Sequence, residues 1–348
     1  MESTHRNSSH PKAMPGFCLL LVVLFSSLTI PEIASSATIV KTLPGYDGEL
    51  PFSMETGYIG VGETDSVQLF YYFVKSQRSP SLDPLILWLA GGPGCSALLA
   101  FFYESGPLSF IYDGYNGSLP SLRLNPYTWT KWLLEHPEYI SNQMYVNGDS
   151  YSGVIVPLVI QHILDEPTEA TVNWERRRSL REKTQDLLLS HNKDQAYWCR
   201  SYQQVLAGIW ANDKTVQAAL NVREGAKDFW KLCNMSLSYT EEISSVIEYH
   251  RNFSLKSELR ALIYSGDHDM SVPHIATREW IQTLNLTLGD SWRAWYHNGQ
   301  VAGYTEEYKL NDYVLDFVTV KNGGHIAALY KQEECSAMGD RWFAHYPL

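Results

Sequence analysis

Three short stretches of this 348-residue chain carry residues whose types and spacing suit acyl transfer. Ser150 stands in Gly148-Asp149-Ser150-Tyr151-Ser152-Gly153, between an apolar strand pattern at Met144-Tyr145-Val146 and an apolar helix face from Val154 to Ile160. The small residues around it permit a sharp strand-to-helix turn that leaves the hydroxyl exposed, the arrangement of a nucleophile elbow. A serine hydroxyl is a weak nucleophile at neutral pH, so it needs a base, and the base needs an acid group to fix its tautomer. His325 follows the strand pattern Val318-Thr319-Val320 through Lys321-Asn322-Gly323-Gly324. Asp269 follows Leu262-Ile263-Tyr264 through Ser265-Gly266-Asp267-His268. Asp267 competes with Asp269 and reads as a turn residue. His268, His274, His297 and His345 end no strand pattern with flexible glycines and read as surface or loop residues. A developing oxyanion needs fixed donors. Gly91-Gly92-Pro93-Gly94 follows an apolar run directly, so the amides of Gly92 and Tyr151 are the expected pair.

The order Ser150, Asp269, His325 is that of an α/β-hydrolase fold. The elements needed to hold these residues are legible. Pro84-Leu85-Ile86-Leu87-Trp88-Leu89 is an uninterrupted apolar run of strand length, which predicts a strand buried on both faces of a parallel sheet. Val67 to Val74 and Val314 to Val320 read as further strands, and Thr38 to Gly62 as an irregular entry followed by a hairpin. Ala97 to Phe102 and Asn125 to His136 have helical character. The alternating charges between Asp165 and Gln195 predict a solvated helix. Asn212 is placed to cap a helix running through Leu220.

Composition narrows the class. With 45% hydrophobic and 13% aromatic residues the chain has material for a large globular core. Arg6 and Lys12 precede an apolar run from Phe17 to Leu28, then Pro31 and small residues through Ala37. This is signal-peptide grammar, with residues 1–37 as the leader and cleavage near Ser36 or Ala37. The run is shorter than the roughly 20 residues of a membrane span, so no anchor is expected after cleavage. Sequons at Asn116, Asn234, Asn252 and Asn285 suit a glycoprotein of the secretory route, secreted or vacuolar. Cys95, Cys199, Cys233 and Cys335 remain after the leader and allow up to two disulfides in three pairings. No Cys or His spacing suits a metal, and no cofactor motif is present. A formal charge of −11 without a basic stripe argues against nucleic acid.

Leu87-Trp88-Leu89-Ala90-Gly91-Gly92-Pro93-Gly94-Cys95-Ser96, the Ser150 elbow, Tyr264-Ser265-Gly266-Asp267-His268-Asp269, Gly323-Gly324-His325 and the hairpin segment Asn298 to Tyr304 resemble the serine carboxypeptidase family, in particular the plant serine carboxypeptidase-like proteins. The resemblance runs from about residue 40 to Leu348. It implies Ser150 as nucleophile, His325 as general base and acid, Asp269 as its orienter, and a Cys95–Cys233 disulfide. It implies substrate binding by Trp88, Gly91, Glu104 and Asp149, no cofactor, and homodimers in many members. The substrates it implies are peptide carboxyl termini or, for members that move acyl groups to an alcohol, glucose esters.

Two positions depart from the peptidase pattern. Ala90 stands where the peptidases carry an Asn that donates to the substrate carboxylate, and Asp149 is shorter than the usual Glu. Loss of that donor costs roughly 1.5–3 kcal/mol of carboxylate recognition. Larger departures lie between Lys131 and Trp132 and after His162-Ile163-Leu164, where the family's pattern has a sheet strand each, with most of its helical cap at the second place. The expectation is therefore an α/β-hydrolase domain over 38–348 lacking two strands, with residues about 165–235 as a reduced cap, folding poorly and in the extreme inactive.

Overall fold

The computed structural model describes residues 37–61, 67–75, 85–128, 144–165, 200–226, 229–256 and 258–348. The leader, Cys18, Cys199, most of the expected helix after Asn125 and the charged stretch after Asp165 lie outside the described residues. Asn125 to Thr128, the described part of that first segment, is turn and irregular chain.

Strands β1 (Thr38–Val40), β2 (Met54–Val61) and β3 (Val67–Val74) form an antiparallel sheet in the order β1-β2-β3. The β2–β3 hairpin pairs Val61 with Val67, which brings Tyr58, Phe70 and Tyr72 into tilted and edge-on ring contacts along one face with centroids 4.9 and 5.2 Å apart. β4 (Leu85–Leu89) pairs in parallel with β7 (Met144–Gly148), Leu89 opposite Gly148. Between them in sequence come α1 (Leu98–Tyr103) and the short pair β5 (Leu108–Phe110) and β6 (Leu122–Leu124). β4 is a parallel strand as its apolar run predicts, but it is only half-buried, and Leu85 is exposed. Among the described residues β7 is its one strand neighbour, so the second flank that a doubly buried strand requires is not provided.

After β7 the chain turns into α2 (Ser152–Asp165). α3 (Arg200–Asn212) and α4 (Lys214–Ala219) then pack against α1 and β5. Trp210, Phe102 and Phe110 meet ring to ring with centroids 4.4 to 6.3 Å apart, and the Trp210 indole donates to the Pro44 carbonyl at 2.7 Å. The cap of α4 is Asp213, whose carboxylate accepts from the amides of Thr215 and Val216. Asn212, expected in that role, instead ends α3. Its Oδ1 accepts from Trp230 N at 2.7 Å while its Nδ2 donates to the carbonyls of Gly208 and Trp230, so its side chain is already spent.

α5 (Ile247–Lys256) leads to a four-stranded sheet in the order β8-β11-β10-β9, made of β8 (Arg260–Gly266), β9 (Thr287–His297), β10 (Gln300–Leu310) and β11 (Tyr313–Val320), with α6 (His274–Gln282) between β8 and β9. β8 and β11 are parallel and the other pairs antiparallel. Asn298 and Gly299 both take positive φ, 47° and 72°, which gives the two-residue β9–β10 turn the twist a hairpin favours. β11 is the buried strand of this sheet, with Leu315, Phe317, Val318 and Val320 fully covered. α7 (Ala327–Tyr330) and α8 (Gln332–Phe343) close the chain. Cys95 and Cys233 form a disulfide, and Cys335 is free and buried. Among the described residues no helix is long and apolar enough to cross a membrane.

Candidate active site

Ser150 follows β7 by two residues and takes φ +53°, a left-handed conformation that L-residues adopt at a cost of about 1–3 kcal/mol. The turn closes through Ser152 N to Asp149 O and Gly153 N to Ser150 O, both 2.9 Å, which start α2. Gly148 is needed where it is. A Cβ there would lie 2.5 Å from Ser152 Cβ and 2.9 Å from the Leu89 carbonyl oxygen, so any side chain would push β4 and α2 apart. Gly91 is equally confined, since a Cβ would meet Asp149 O at 2.6 Å and Ser150 Cβ at 2.8 Å.

Three loops at strand ends bring Ser150, His325 and Asp269 together. Ser150 Oγ lies 2.8 Å from His325 Nε2, and His325 Nδ1 lies 2.9 Å from Asp269 Oδ2. The other Asp269 oxygen accepts from the amides of Ser271 and Val272 at 2.7 and 3.0 Å. Burial alone would raise the Asp269 pKa, but those two amides and the His325 ring outweigh it and hold the carboxyl below its usual value. Its side chain is 4% exposed while that of His325 is 34% exposed, so the acid is sheltered and the imidazole reaches the surface. Asp267, the competing carboxylate, accepts from Asn322 N at 2.6 Å and serves the turn.

The amides of Gly92 and Tyr151 flank the elbow, and among the described residues neither donates to a protein acceptor. Gly92 has φ +113° and precedes a cis proline, Pro93. Trp88, Glu104 and Asp149 line the same cavity as Ser150, Asp269 and His325. Asp149 Oδ1 accepts from Gly91 N at 3.2 Å. Burial raises the Asp149 pKa. Glu104 is 4% exposed, neither carboxyl oxygen has a hydrogen-bond partner among the described residues, and burial together with the Asp149 charge holds its pKa well above the ordinary carboxylate value. Ala90 stands between β4 and this glycine turn, and its side chain carries no donor.

The cavity also takes in groups that the sequence did not single out. His250 of α5 is buried against Phe253 and Trp280, and burial lowers its pKa to about 4. Tyr313 and Tyr264 line the same space. No motif or strand-end pattern in the sequence marks His250. Asn116, Asn252 and Asn285 are exposed, and Asn234 is half-buried beside Cys233. Among the described residues no cluster of His, Cys, Asp and Glu could hold a metal ion.

The family model described as serine carboxypeptidase matches residues 44–133, 130–176 and 175–345, nearly the whole chain. The chain belongs to the serine carboxypeptidase family. Its α/β-hydrolase fold accords with the mixed strands and helices seen here. Among relatives from Arabidopsis thaliana, serine carboxypeptidase-like 13 is 36% identical over 433 aligned positions, which cover 95% of this chain and 99% of that protein. Serine carboxypeptidase-like 7 is 34% identical over 434 positions, covering 94% and 98%, and serine carboxypeptidase-like 1 is 36% identical over 434, covering 94% and 97%. Each alignment runs over more positions than this family member's 348 residues.

Proposed function

We propose that this chain is a serine carboxypeptidase-like hydrolase that works through an acyl-enzyme on Ser150. The observation that carries the reading is the continuous hydrogen-bonded line from Ser150 Oγ through His325 to Asp269. His325 Nε2 takes the proton as Ser150 Oγ attacks the substrate carbonyl, and Asp269 Oδ2 holds the Nδ1 proton so that Nε2 is left as the acceptor. The uncommitted amides of Gly92 and Tyr151 receive the developing oxyanion. His325 then returns the proton to the leaving group, and water, activated by the same imidazole, releases the acid.

The Glu104 and Asp149 carboxyls sit at the substrate side of Ser150. With both pKa values raised, a protonated carboxyl persists in mild acid and donates to a substrate carboxylate, so peptide hydrolysis favours acid pH. A rate profile rising steadily to pH 9 on peptides would contradict this assignment.

Ala90 supports a second reading, in which an alcohol, not water, takes the acyl group from a glucose ester. Its methyl cannot hold a peptide's terminal carboxylate, and Asp149 reaches less far than Glu. Incubation with a blocked dipeptide and, separately, with an acyl glucose and an alcohol distinguishes the two. Release of the free terminal amino acid identifies the peptidase, and a new ester identifies the transferase. If a folded sample consumes neither, both readings fail.

The chain is also read as a shortened member of its family, lacking two sheet strands and part of the cap. Supporting this, the family match falls into three stretches that overlap at residues 130–133 and 175–176, and among the described residues β1-β2-β3, β4-β7 and β8-β11-β10-β9 are separate sheets. Each central strand buries several apolar side chains worth about 1.5–3 kcal/mol apiece, so a lower melting temperature than that of the longer relatives is expected. The leader pattern and exposed sequons support a secreted or vacuolar address, which endoglycosidase treatment of the secreted protein would test by a mass shift.

A further inference from the structure

β7 and β8 are the two sides of one slot. Among the described residues β7 has a strand neighbour only in β4, and β8 only in β11, so each has an edge without a strand partner. Every residue from Met144 to Gly148 and from Arg260 to Gly266 lines a single cavity of about 610 Å³. The two strands run the same way. Their carboxyl ends lead to Ser150 and Asp269, joined through His325, and near their amino ends both reach α8. There Tyr145 packs on Trp342 and Phe343 with centroids 5.8 and 4.8 Å away, and the Arg260 guanidinium lies 4.8 Å over the Trp342 ring.

The faces of the slot are mostly apolar. Pro157, Ile160 and Phe253 line it from α2 and α5, and Ala327 and Trp342 from α7 and α8. Among the described residues, buried polar atoms on its wall without a hydrogen-bond partner include the Tyr313 hydroxyl, in a residue 1% exposed, His250 Nδ1, in a residue 9% exposed, both carboxyl oxygens of Glu104 and Asn147 Nδ2. Gly153 also lines it, in the first turn of α2. Among the described residues a Cβ there would meet nothing within 4 Å, so the position leaves room for another backbone to approach closely.

We propose that this slot binds an extended, apolar polypeptide segment as an additional parallel strand between β7 and β8. Polypeptide is the occupant that fits, because two parallel strand edges offer alternating N–H and C=O groups on both sides at once, and only another strand answers both rows. The family match is made in three overlapping stretches, two of which meet at residues 175–176, in the sequence between α2 and β8, and the relatives' alignments run over more positions than this chain has residues. At about 3.3 Å per residue a segment of five to seven residues spans either edge. With apolar walls on both faces its side chains should be apolar at successive positions, as in a strand covered on both sides, and it should contain no proline. The proposal rests on the strand edges and not on the catalytic reading.

The test uses the full chain carrying Ser150→Ala, so that no peptide is consumed, and a fluorescein-labelled peptide amide with six valines and isoleucines between terminal lysines. A saturable anisotropy rise is expected, with at least tenfold slower hydrogen exchange at residues 144–148 and 260–266. The same peptide N-methylated at alternate amides should bind at least tenfold more weakly, because it keeps its apolar surface but loses ladder donors. Gly153→Leu, which projects into open space, should also weaken binding at least tenfold by filling the slot. Absence of saturable binding, as when the chain's own residues already fill the slot, overturns the proposal. So does equal binding of the N-methylated peptide, or protection confined to other segments.

Discussion

Replacing Asp269 by Asn should abolish most of the reactivity of Ser150 while leaving the fold intact. One oxygen of Asp269 is pinned by the amides of Ser271 and Val272 at 2.7 and 3.0 Å, and the other accepts from His325 Nδ1 at 2.9 Å. In the variant the amide oxygen must keep the first position, because a flip would aim an NH2 group at two N–H donors and leave them unmade, at about 1–3 kcal/mol each. Nδ2 therefore faces His325 and donates to Nδ1. The imidazole proton moves to Nε2, which then points an N–H at Ser150 Oγ, 2.8 Å away, and cannot take the hydroxyl proton. The same exchange in a serine-protease triad lowers turnover about 10⁴-fold, equivalent to roughly 5–6 kcal/mol of barrier. The assay is the second-order rate of Ser150 labelling by a fluorophosphonate from pH 5 to 9, with the melting temperature followed by circular dichroism. A rate within tenfold of the parent at unchanged melting temperature would refute the tautomer argument.

Other substitutions probe the frame and its charges. Burial raises the Asp316 pKa from 3.8 to about 6, so its contribution is present below pH 3.8 and lost as pH rises through 6. His250 is lowered from 6.5 to about 4, so its contribution is present above pH 6.5 and lost as pH falls through 4. Relative to the parent, Asp316→Asn should gain up to about 3 kcal/mol between pH 4 and 6.5 and His250→Phe should lose up to about 3, read from urea midpoints at pH 4.5 and 7. Curves parallel to the parent's would show that neither group is buried as described. Replacing Cys95 and Cys233 by Ser opens a link across 138 residues and should cost about 2–5 kcal/mol, seen as a lower midpoint under non-reducing conditions. Gly148→Ala should slow Ser150 labelling at least tenfold, because its Cβ would fall 2.5 Å from Ser152 Cβ and displace the elbow. Labelling at the parent rate would mean that α2 moves freely.

The candidate triad was legible because each of its residues is announced locally. Ser150, Asp269 and His325 each follow an apolar strand pattern through a short loop containing small residues, and that local grammar fixes where the strand ends point. Burial was less legible. The apolar run Leu85 to Leu89 states what a strand is suited to cover, whereas its half-exposure depends on which strands lie beside it, and pairing partners are set by distant segments. Asn212 and Asp213 are both good capping residues, and the choice between them was made by Trp230, eighteen positions beyond Asn212, which occupies the Asn212 side chain. His250 and the slot between β7 and β8 had no sequence signature, since they arise only when helices and strands far apart in the chain enclose one space.

The central claim is that Ser150 is an activated nucleophile. Treatment of the full chain with a fluorophosphonate, followed by peptide mass mapping, tests it directly. One equivalent of label on Ser150, suppressed in His325→Ala, is the predicted result. A folded sample, judged by a cooperative melt, that takes up no label at Ser150 would contradict it.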